Sequence, residues 1–201
     1  MSGTQTVRTA RSRVRVVIVE DHTLFAESLE LALTIGGYDA RRVTVTEQAT
    51  SHAAVLAQVI RAKPRIVLLD LDLGRLGDGV RLIAPIAKSG ADVVVVTADT
   101  DRARWGECLK NGARTVVAKA RPLNDTLATV RRLNSGLPVM DRAERDELLA
   151  RWHSTAQVRS ERRLRLDRHR LPGRPEQLGG AGKRRAPAHW SWHRCSTSRA
   201  S

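Results

Sequence analysis

The sequence predicts an α/β fold, a doubly wound five-stranded parallel sheet with helices on both faces. Short apolar runs alternate with amphipathic helical patterns over about 120 residues, and this alternation is typical of parallel sheets. The runs Val14–Val19 and Ile66–Asp70 are continuously apolar, as expected for strands that are buried on both faces. Right-handed crossovers then place helices on the two sides of the sheet.

The first half of the chain contains three predicted strands and two predicted helices. Residues 1–13 offer little to bury and predict a disordered arm. The strands are Val14–Val19, Arg41–Val45 and Ile66–Asp70. The helices are His22–Ile35, with an apolar face of Leu24, Phe25, Ser28, Leu29, Leu31, Ala32 and Ile35, and Gln48–Ala62, with a face of Ala53, Leu56, Ala57 and Ile60. Gly36-Gly37 and Pro64 follow these helices and end them.

The second half continues the alternation after a glycine-rich loop, Gly74–Gly79. A third helix places Val80, Ile83, Ala84 and Ala87 on one face and contains Pro85, which costs about 3 kcal/mol or kinks the helix. Asp92–Thr97 and Arg114–Ala118 are the remaining strands, with the helix Asp101–Lys110 between them. Pro122 fits the first position of a last helix, whose apolar face is Leu123, Leu127, Val130 and Leu133.

Polar residues follow four of the predicted strands and form an ordered set. The strand ends carry Glu20-Asp21, Asp70, Thr97 and Lys119. Carboxyl ends of parallel strands share one edge, where open α/β sheets bind ligands. Three carboxylates brought together there are unfavourable unless a cation or a proton joins them. The pattern therefore predicts a divalent-metal site that contains a reactive aspartate.

Asp70 is the predicted reactive group, since a carboxylate can act as a nucleophile and form an aspartyl phosphate. Phosphoryl transfer needs a hard cation such as Mg²⁺. Asp21 and Asp70 are the predicted direct ligands, together with the backbone carbonyl of Asp72, and Glu20 is predicted to act through a water molecule. Lys119 would pair with phosphoryl oxygens, or with Asp70 before the reaction, and the Thr97 hydroxyl would bond the new phosphate.

Simpler interpretations stand beside these. An aspartate at a strand end is most often a turn or cap residue, with a chance of roughly one in ten of a chemical role. His22 is interpreted as the start of its helix and His52 as part of an exposed helix face. Cys108 is predicted to be a small core residue, and Trp105 to be exposed near the fourth helix.

Residues 14–137 resemble a response-regulator receiver domain of two-component signalling, nearest the NarL/FixJ-type regulators of the LuxR family. The likeness lies in Val16–His22, Leu68–Leu73, Gly77-Asp78-Gly79, Val96-Thr97-Ala98, and Lys119 followed by Pro122-Leu123. It implies a flavodoxin-like fold, phosphorylation of Asp70 by a sensor histidine kinase, Mg²⁺ in the acidic pocket, and Thr97 and Lys119 as switch residues. It also implies a signalling phosphoprotein and not an enzyme, acting in transcription regulation and dimerising around Trp105 and Val116.

Three positions depart from the family pattern. Val116 stands where an aromatic switch residue is common, three residues before the lysine. Ala120 stands where many receivers have a cis proline, and a cis bond at this position would cost several kcal/mol. Gly74 stands where a proline is common, and one extra residue precedes Asp78-Gly79. None of the three changes removes a reacting group.

The chain is predicted to divide into an arm (1–13), the receiver domain (14–137), a helical linker (138–168) and a disordered basic tail (169–201). Residues 158–201 hold 12 Arg and Lys against 3 Asp and Glu, in a chain of formal net charge +14. The LuxR-type helix-turn-helix expected from the family is not recognisable there. An out-of-frame reading of the gene would explain the abrupt loss of pattern near Val158. Alternatively, the tail binds nucleic acid through Trp190, Trp192 and Arg194.

Composition excludes several classes of protein. The two cysteines, Cys108 and Cys195, lie far apart and form no CxxC pair, so a disulfide framework or a zinc site is not expected. No apolar stretch approaches the ~20 residues of a spanning helix, and no signal peptide is recognisable, so a cytoplasmic location is expected. A phosphohydrolase remains an alternative, since Asp72 has the spacing of a general acid, although no cap domain is recognisable.

Overall fold

The computed structural model contains one five-stranded parallel sheet in the order β2-β1-β3-β4-β5. It describes residues 13–44 and 51–169, except for the side chains of residues 44 and 163–169. The predicted α/β architecture is confirmed. Predictions for the N-terminal arm, for residues 45–50 and for the basic tail beyond residue 169 fall outside the described residues.

Strands and helices alternate from β1 to α5, and α6 follows α5 with no strand between them. The strands are β1 (Arg15–Glu20), β2 (Asp39–Thr44), β3 (Ile66–Leu69), β4 (Asp92–Thr97) and β5 (Thr115–Ala118). The helices are α1 (Thr23–Ile35), α2 (His52–Ala62), α3 (Val80–Lys88), α4 (Arg102–Lys110), α5 (Leu123–Asn134) and α6 (Arg142–His169). A 3₁₀ turn, Gly74–Leu76, occupies part of the predicted glycine-rich loop.

Two apolar layers sandwich the sheet, because its central strands present side chains to both faces. One layer joins Val17, Val19, Val67 and Leu69 to α2, α3 and α4. The other joins Val16, Ile18, Ile66 and Leu68 to α1 and α5. All eight of these strand residues are at most 1% exposed. The continuous apolar runs are thus explained by burial on two sides.

The predicted apolar faces of the first two helices were wrong in part. In α1 the buried residues are Ala26, Leu29 and Leu33, whereas Leu24, Leu31 and Ile35 are 81%, 62% and 79% exposed. In α2 the buried residues are Val55 and Val59, so the predicted face is rotated, and Ala53, Ala57 and Ile60 are exposed. Both helices carry apolar residues on more than one side, and periodicity alone does not identify the side that faces the sheet.

The fourth helix and its neighbours also differ from the predictions. Trp105 was predicted to be exposed, but it packs partly buried against the core, and its indole N–H donates to the Asp99 carbonyl at 2.9 Å. His52 is half-buried, and its Nε2 lies 3.0 Å from the carbonyl oxygen of Asp78. Cys108 is fully buried, as predicted. Pro85 lies within α3, and we have no physical account of what offsets its cost.

Helix α6 was predicted only as part of a helical linker, but it packs along α4. Leu148 is fully buried in the layer that contains α4. The two helix backbones come close at Gly106, where an added Cβ would lie within 2.8 Å of Leu148 and Trp152 atoms. Because α6 packs on α4, it covers part of the helix whose surface near Trp105 was expected to dimerise. Among the described residues, no helix is long and apolar enough to cross a membrane.

Candidate functional site

The carboxyl ends of β1 and β3 bring the predicted acidic residues together. The two strands are neighbours in the sheet, with Val19 opposite Leu69, so the residues that follow them meet at one edge. Ligand atoms of Glu20, Asp21, His22 and Asp70 lie within 4.8 Å of one another. Asp70 is 3% and Glu20 is 7% exposed, so two carboxylates of this cluster are largely withdrawn from water.

Lys119, at the end of β5, supplies the positive charge of the site. Its Nζ donates to Asp70 Oδ2 at 2.7 Å and to Glu20 Oε1 at 2.8 Å, and it lies 5.1 Å from the centroid of the Phe25 ring. Burial lowers the pKa of Lys119, but the hydrogen bonds to Asp70 and Glu20 outweigh this effect and raise it overall. The lysine is therefore held in its charged form.

The pKa of Glu20 is raised as well, but for a carboxyl group a raised pKa disfavours the charged form. Burial, with the nearby negative charge of Asp70, raises the pKa of Glu20 above its ordinary value, and the hydrogen bond from Lys119 only partly offsets this effect. The ammonium of Lys119 bonds to Glu20 and Asp70, and Asp21 adds a third carboxylate to the cluster. The site thus carries an excess of negative charge that a further cation would neutralise.

One oxygen of Asp21 is well suited to a cation. Asp21 Oδ1 is inaccessible to solvent and accepts no hydrogen bond in the described part of the chain, although His22 Nδ1 lies 3.0 Å away. A buried carboxylate oxygen without a donor is costly. Carboxylate oxygens are also the donors that hard divalent cations prefer. The residues present therefore fit a metal of this kind.

Backbone hydrogen bonds fix the orientation of the acidic residues. The Leu71 N–H donates to Asp70 Oδ1 at 2.7 Å, and the other oxygen, Oδ2, accepts from Lys119. The His22 N–H donates to Glu20 Oε1 at 3.1 Å. Gly79 lies so close to Asp70 that an added Cβ would touch its carbonyl oxygen. The loop after β3 is consequently built against the backbone of Asp70.

Thr97 and Asp72 lie in the same cleft but make other contacts. The cleft, about 480 Å³ in volume, is lined by both residues together with Asp70 and Lys119. The Thr97 hydroxyl accepts from the Asp99 N–H at 3.1 Å. The exposed Asp72 carboxylate accepts from the Gly74 N–H at 3.2 Å, so its side chain belongs to the loop and not to the acidic cluster. Gly74 adopts φ +56°, and a Cβ there would lie 2.8 Å from Asp21 Oδ2.

The sequence did not indicate three further residues of the cleft. Arg104 from α4, Asp78 from the loop after β3 and Asp99 from the loop after β4 all line it. His22 joins the acidic cluster, although it was interpreted only as a helix start. No sequence motif identifies Arg104, because its place in the cleft depends on how α4 packs beside two loops.

The model of the response regulator receiver domain family matches residues 16–131, more than half of the 201-residue chain. This chain belongs to the response regulator receiver domain family. The family membership agrees with the acidic cluster and the lysine at the sheet edge, and it makes the chain part of a two-component system. No curated protein matches the sequence.

Solved structures of receiver domains share this fold. A LuxR-family two-component response regulator from Aurantimonas sp. SI85-9A1 is 18% identical, over 69% of this chain and 97% of its own, with a TM-score of 0.57. The signal receiver domain of the NarL response regulator from Mycobacterium tuberculosis is 23% identical, over 62% and 98%, with a TM-score of 0.53. A Burkholderia pseudomallei response regulator, solved with a phosphorylated aspartic acid, a calcium ion and citrate, is 23% identical, over 61% and 72%, with a TM-score of 0.51.

Proposed function

We propose that this receiver domain is switched by phosphorylation of Asp70, with a sensor histidine kinase as donor and Mg²⁺ as cofactor. The observation that carries the proposal is the placement of Lys119, which bonds Asp70 at 2.7 Å and Glu20 at 2.8 Å in a buried acidic cluster. An isolated strand-end aspartate would need neither a buried lysine nor two further acids beside it.

In the proposed step, an Asp70 carboxylate oxygen forms a bond to phosphorus. The bond between phosphorus and the imidazole nitrogen of the donor breaks, and the imidazole keeps the electron pair. Asp70 Oδ1 already accepts the Leu71 N–H, whereas Oδ2 accepts from the ammonium of Lys119. Oδ2 is therefore the proposed nucleophile, and Lys119 would move from it to the oxygens of the transferred phosphoryl group.

A divalent cation would be held by Asp21, Asp70 and the backbone carbonyl of Asp72, with Glu20 acting through water. When bound, Mg²⁺ neutralises charge on the phosphoryl oxygens. The unpartnered Asp21 Oδ1 supports this assignment. The Burkholderia structure, which has the same fold, contains both a calcium ion and a phosphorylated aspartic acid, and this is consistent with the assignment.

Thr97 would respond to the new phosphate. Its hydroxyl is buried in the cleft wall and now accepts the Asp99 N–H, so its proton is free to be donated to a phosphoryl oxygen. With Val116 in place of the common aromatic residue, we expect the change to be transmitted through the Thr97–Asp99 loop and not through an aromatic side chain.

A surface for the kinase lies beside the acidic cluster. Leu24, Leu31 and Ile35 are exposed and share one side of α1, because their spacing follows the helical period. Helix α1 begins at Thr23, two residues after Asp21, and the intervening His22 lines the cleft. An exposed apolar helix face suits a helical partner, and we propose that the kinase docks here to bring its phosphohistidine to Asp70.

The proposal is tested by phosphorylation with acetyl phosphate and Mg²⁺, measured by intact-mass spectrometry. The wild-type chain should gain one phosphoryl group, and Asp70→Asn should gain none. Asp146→Asn is the matched control, because its exposed carboxylate lies on α6 beside Arg142, and it should leave labelling unchanged. Equal labelling of Asp70→Asn and wild type would overturn the proposal. Repeated turnover of a phosphomonoester that is lost in Asp72→Asn would favour a phosphohydrolase.

The docking surface has a separate test. Leu24→Ala and Leu31→Ala should slow transfer from whichever member of a panel of phosphorylated histidine kinases labels the wild-type chain. Both variants should retain their labelling by acetyl phosphate, which needs no protein surface. Unchanged transfer from the kinase would place its docking site elsewhere.

A further inference from the structure

Arg104 is the second positively charged side chain at the reactive cleft, and it comes from a different element than Lys119. It lies in the first turn of α4, with its side chain 33% exposed. Its Nη2 donates to Asp78 Oδ1 at 3.0 Å, and its Nε lies 3.3 Å from Asp99 Oδ2. The guanidinium thereby ties the loop after β3 to the loop after β4.

The guanidinium is not saturated by these two acids. Its Nε is inaccessible to solvent and makes no hydrogen bond to any described residue, since the nearby Asp99 oxygen is not aligned with the N–H. Arginine carries five N–H donors in a fixed fork. Arg104 lines the same cleft as Asp70, Thr97 and Lys119, so its guanidinium belongs to the cleft in which a phosphoryl group would be attached.

We propose that Arg104 is a phosphoryl-binding residue that exchanges partners when Asp70 is phosphorylated. This inference rests on the proposed function. The phosphoryl group of an aspartyl phosphate carries about two negative charges, in place of the single charge of the carboxylate, and three strong acceptor oxygens, which a guanidinium binds in a bidentate manner. The guanidinium leaves Asp78 and Asp99 and donates hydrogen bonds to phosphoryl oxygens, while the Lys119 ammonium contacts both the phosphoryl group and Glu20.

The exchange also gives the two loop acids a function. Asp78 and Asp99 compete with the phosphoryl group for one arginine, so they set how readily the modified state is stabilised. Arg104 belongs to α4, and α4 packs on α6 at Gly106. The exchange of partners by Arg104 would therefore act on α4 and, through this contact, on α6. Of the cleft residues described here, only Arg104 combines a cationic side chain with a position on α4.

Beryllofluoride, which occupies the place of the phosphoryl group, provides the test. The full-length chain is titrated at saturating Mg²⁺, with ¹⁹F NMR reading the bound form. Arg104→Gln should weaken beryllofluoride binding about tenfold or more, the loss expected for one charge-assisted bidentate contact. Arg104→Lys keeps the charge without the fork and should fall between Arg104→Gln and wild type. Asp99→Asn releases the arginine and should tighten binding.

Arg102→Gln is the matched control, since this arginine lies in the same helical turn but faces Glu147 of α6 at 3.8 Å. It should bind beryllofluoride like wild type. Mg²⁺ affinity without beryllofluoride should be unchanged or higher in Arg104→Gln, because a positive charge near the acids is removed. Parallel loss of Mg²⁺ and beryllofluoride binding would assign Arg104 to loop structure and overturn the inference.

The two levels of the proposal fail in different ways. If the wild-type chain itself binds no beryllofluoride, the proposed function is wrong. If wild type binds and Arg104→Gln and Asp99→Asn bind equally well, the arginine exchange is wrong and phosphorylation of Asp70 stands.

Discussion

Lys119 Nζ lies 2.7 Å from Oδ2 of Asp70, the carboxylate that ends the central strand. The same ammonium contacts Glu20 at 2.8 Å, and the side chains of Asp70 and Glu20 are each 2% exposed. A single ammonium is therefore shared between two buried carboxylates. A metal ion can replace the ammonium beside the carboxylates, or the ammonium can move to a phosphoryl group. In both cases the carboxylates gain a new partner.

Removing this lysine should destabilise the metal-free protein. Lys119→Gln leaves two buried carboxylates without a counter-charge, and breaking a buried ion pair in this way costs roughly 3–5 kcal/mol. The free energy of unfolding, measured in urea with EDTA, should fall accordingly and recover in part with Mg²⁺. Lys88→Gln is the control, because Lys88 is exposed at the end of α3. A Lys119→Gln variant as stable as Lys88→Gln without metal would contradict the account.

Glu20 should make the metal-free protein less stable as the pH rises. Its folded-state pKa is raised above the ordinary 4.5, so between the two values the folded state binds more protons than the unfolded state. Stability from this group is therefore present at low pH and lost as the pH rises from 4.5 through the raised value. The curve of Glu20→Gln should lack this downward component when both proteins are unfolded in EDTA across the acidic range.

The effect of Mg²⁺ should have the opposite pH dependence. Deprotonated carboxylates bind the cation and protonated ones do not, so stabilisation by Mg²⁺ should grow over the same pH interval. Thermal shifts with and without Mg²⁺ measure this difference. A magnesium effect that is independent of pH would mean that Glu20 stays charged throughout and that its burial is compensated.

The strand positions and the converging acids could be predicted because they depend on local sequence and simple topology. A strand buried on both faces has to be continuously apolar, and parallel strands have to end at one edge. Val19 and Leu69 pair as neighbours, so Asp21 and Asp70 meet without any further information. The order of the polar residues that follow the strands was thus sufficient to predict most residues of the site.

The helix faces and the outer cleft residues could not be predicted, since they depend on tertiary packing. Helix α1 has apolar residues on two sides, and Leu24 fits the helical period as well as the buried Leu29 does. Arg104 and Asp78 are 26 residues apart and meet only because α4 packs beside the loop after β3. No spacing rule connects them.

Cys108 should be chemically inert in the folded protein. Burial raises the pKa of its thiol from 9.0 to about 12, and only the thiolate reacts readily. In a Cys195→Ser background, labelling by a disulfide reagent at neutral pH should occur only after urea unfolding. Rapid labelling of the folded protein would show that α4 opens easily.

The same thiol should lower stability in alkaline solution. The unfolded state loses its proton near 9 and the folded state near 12, so stability falls as the pH rises between these values, by up to about 1.4 kcal/mol per pH unit. Comparing the slopes of wild type and Cys108→Ala isolates this contribution from that of other groups. Equal slopes would mean that the thiol ionises in the folded protein as it does in the unfolded chain.

Gly106 should be required for the contact between α4 and α6. Alanine normally stabilises a helix relative to glycine by about 1 kcal/mol, but here the added Cβ would meet the carbonyl carbon of Leu148 and the Cβ of Trp152 at 2.8 Å. Gly106→Ala should therefore destabilise the full-length chain and increase hydrogen exchange in α6. In a fragment that ends at residue 140 the obstacle is absent, so the same change should be neutral or stabilising. A Gly106→Ala variant that stabilises the full-length chain would show that α6 does not pack against α4 in solution.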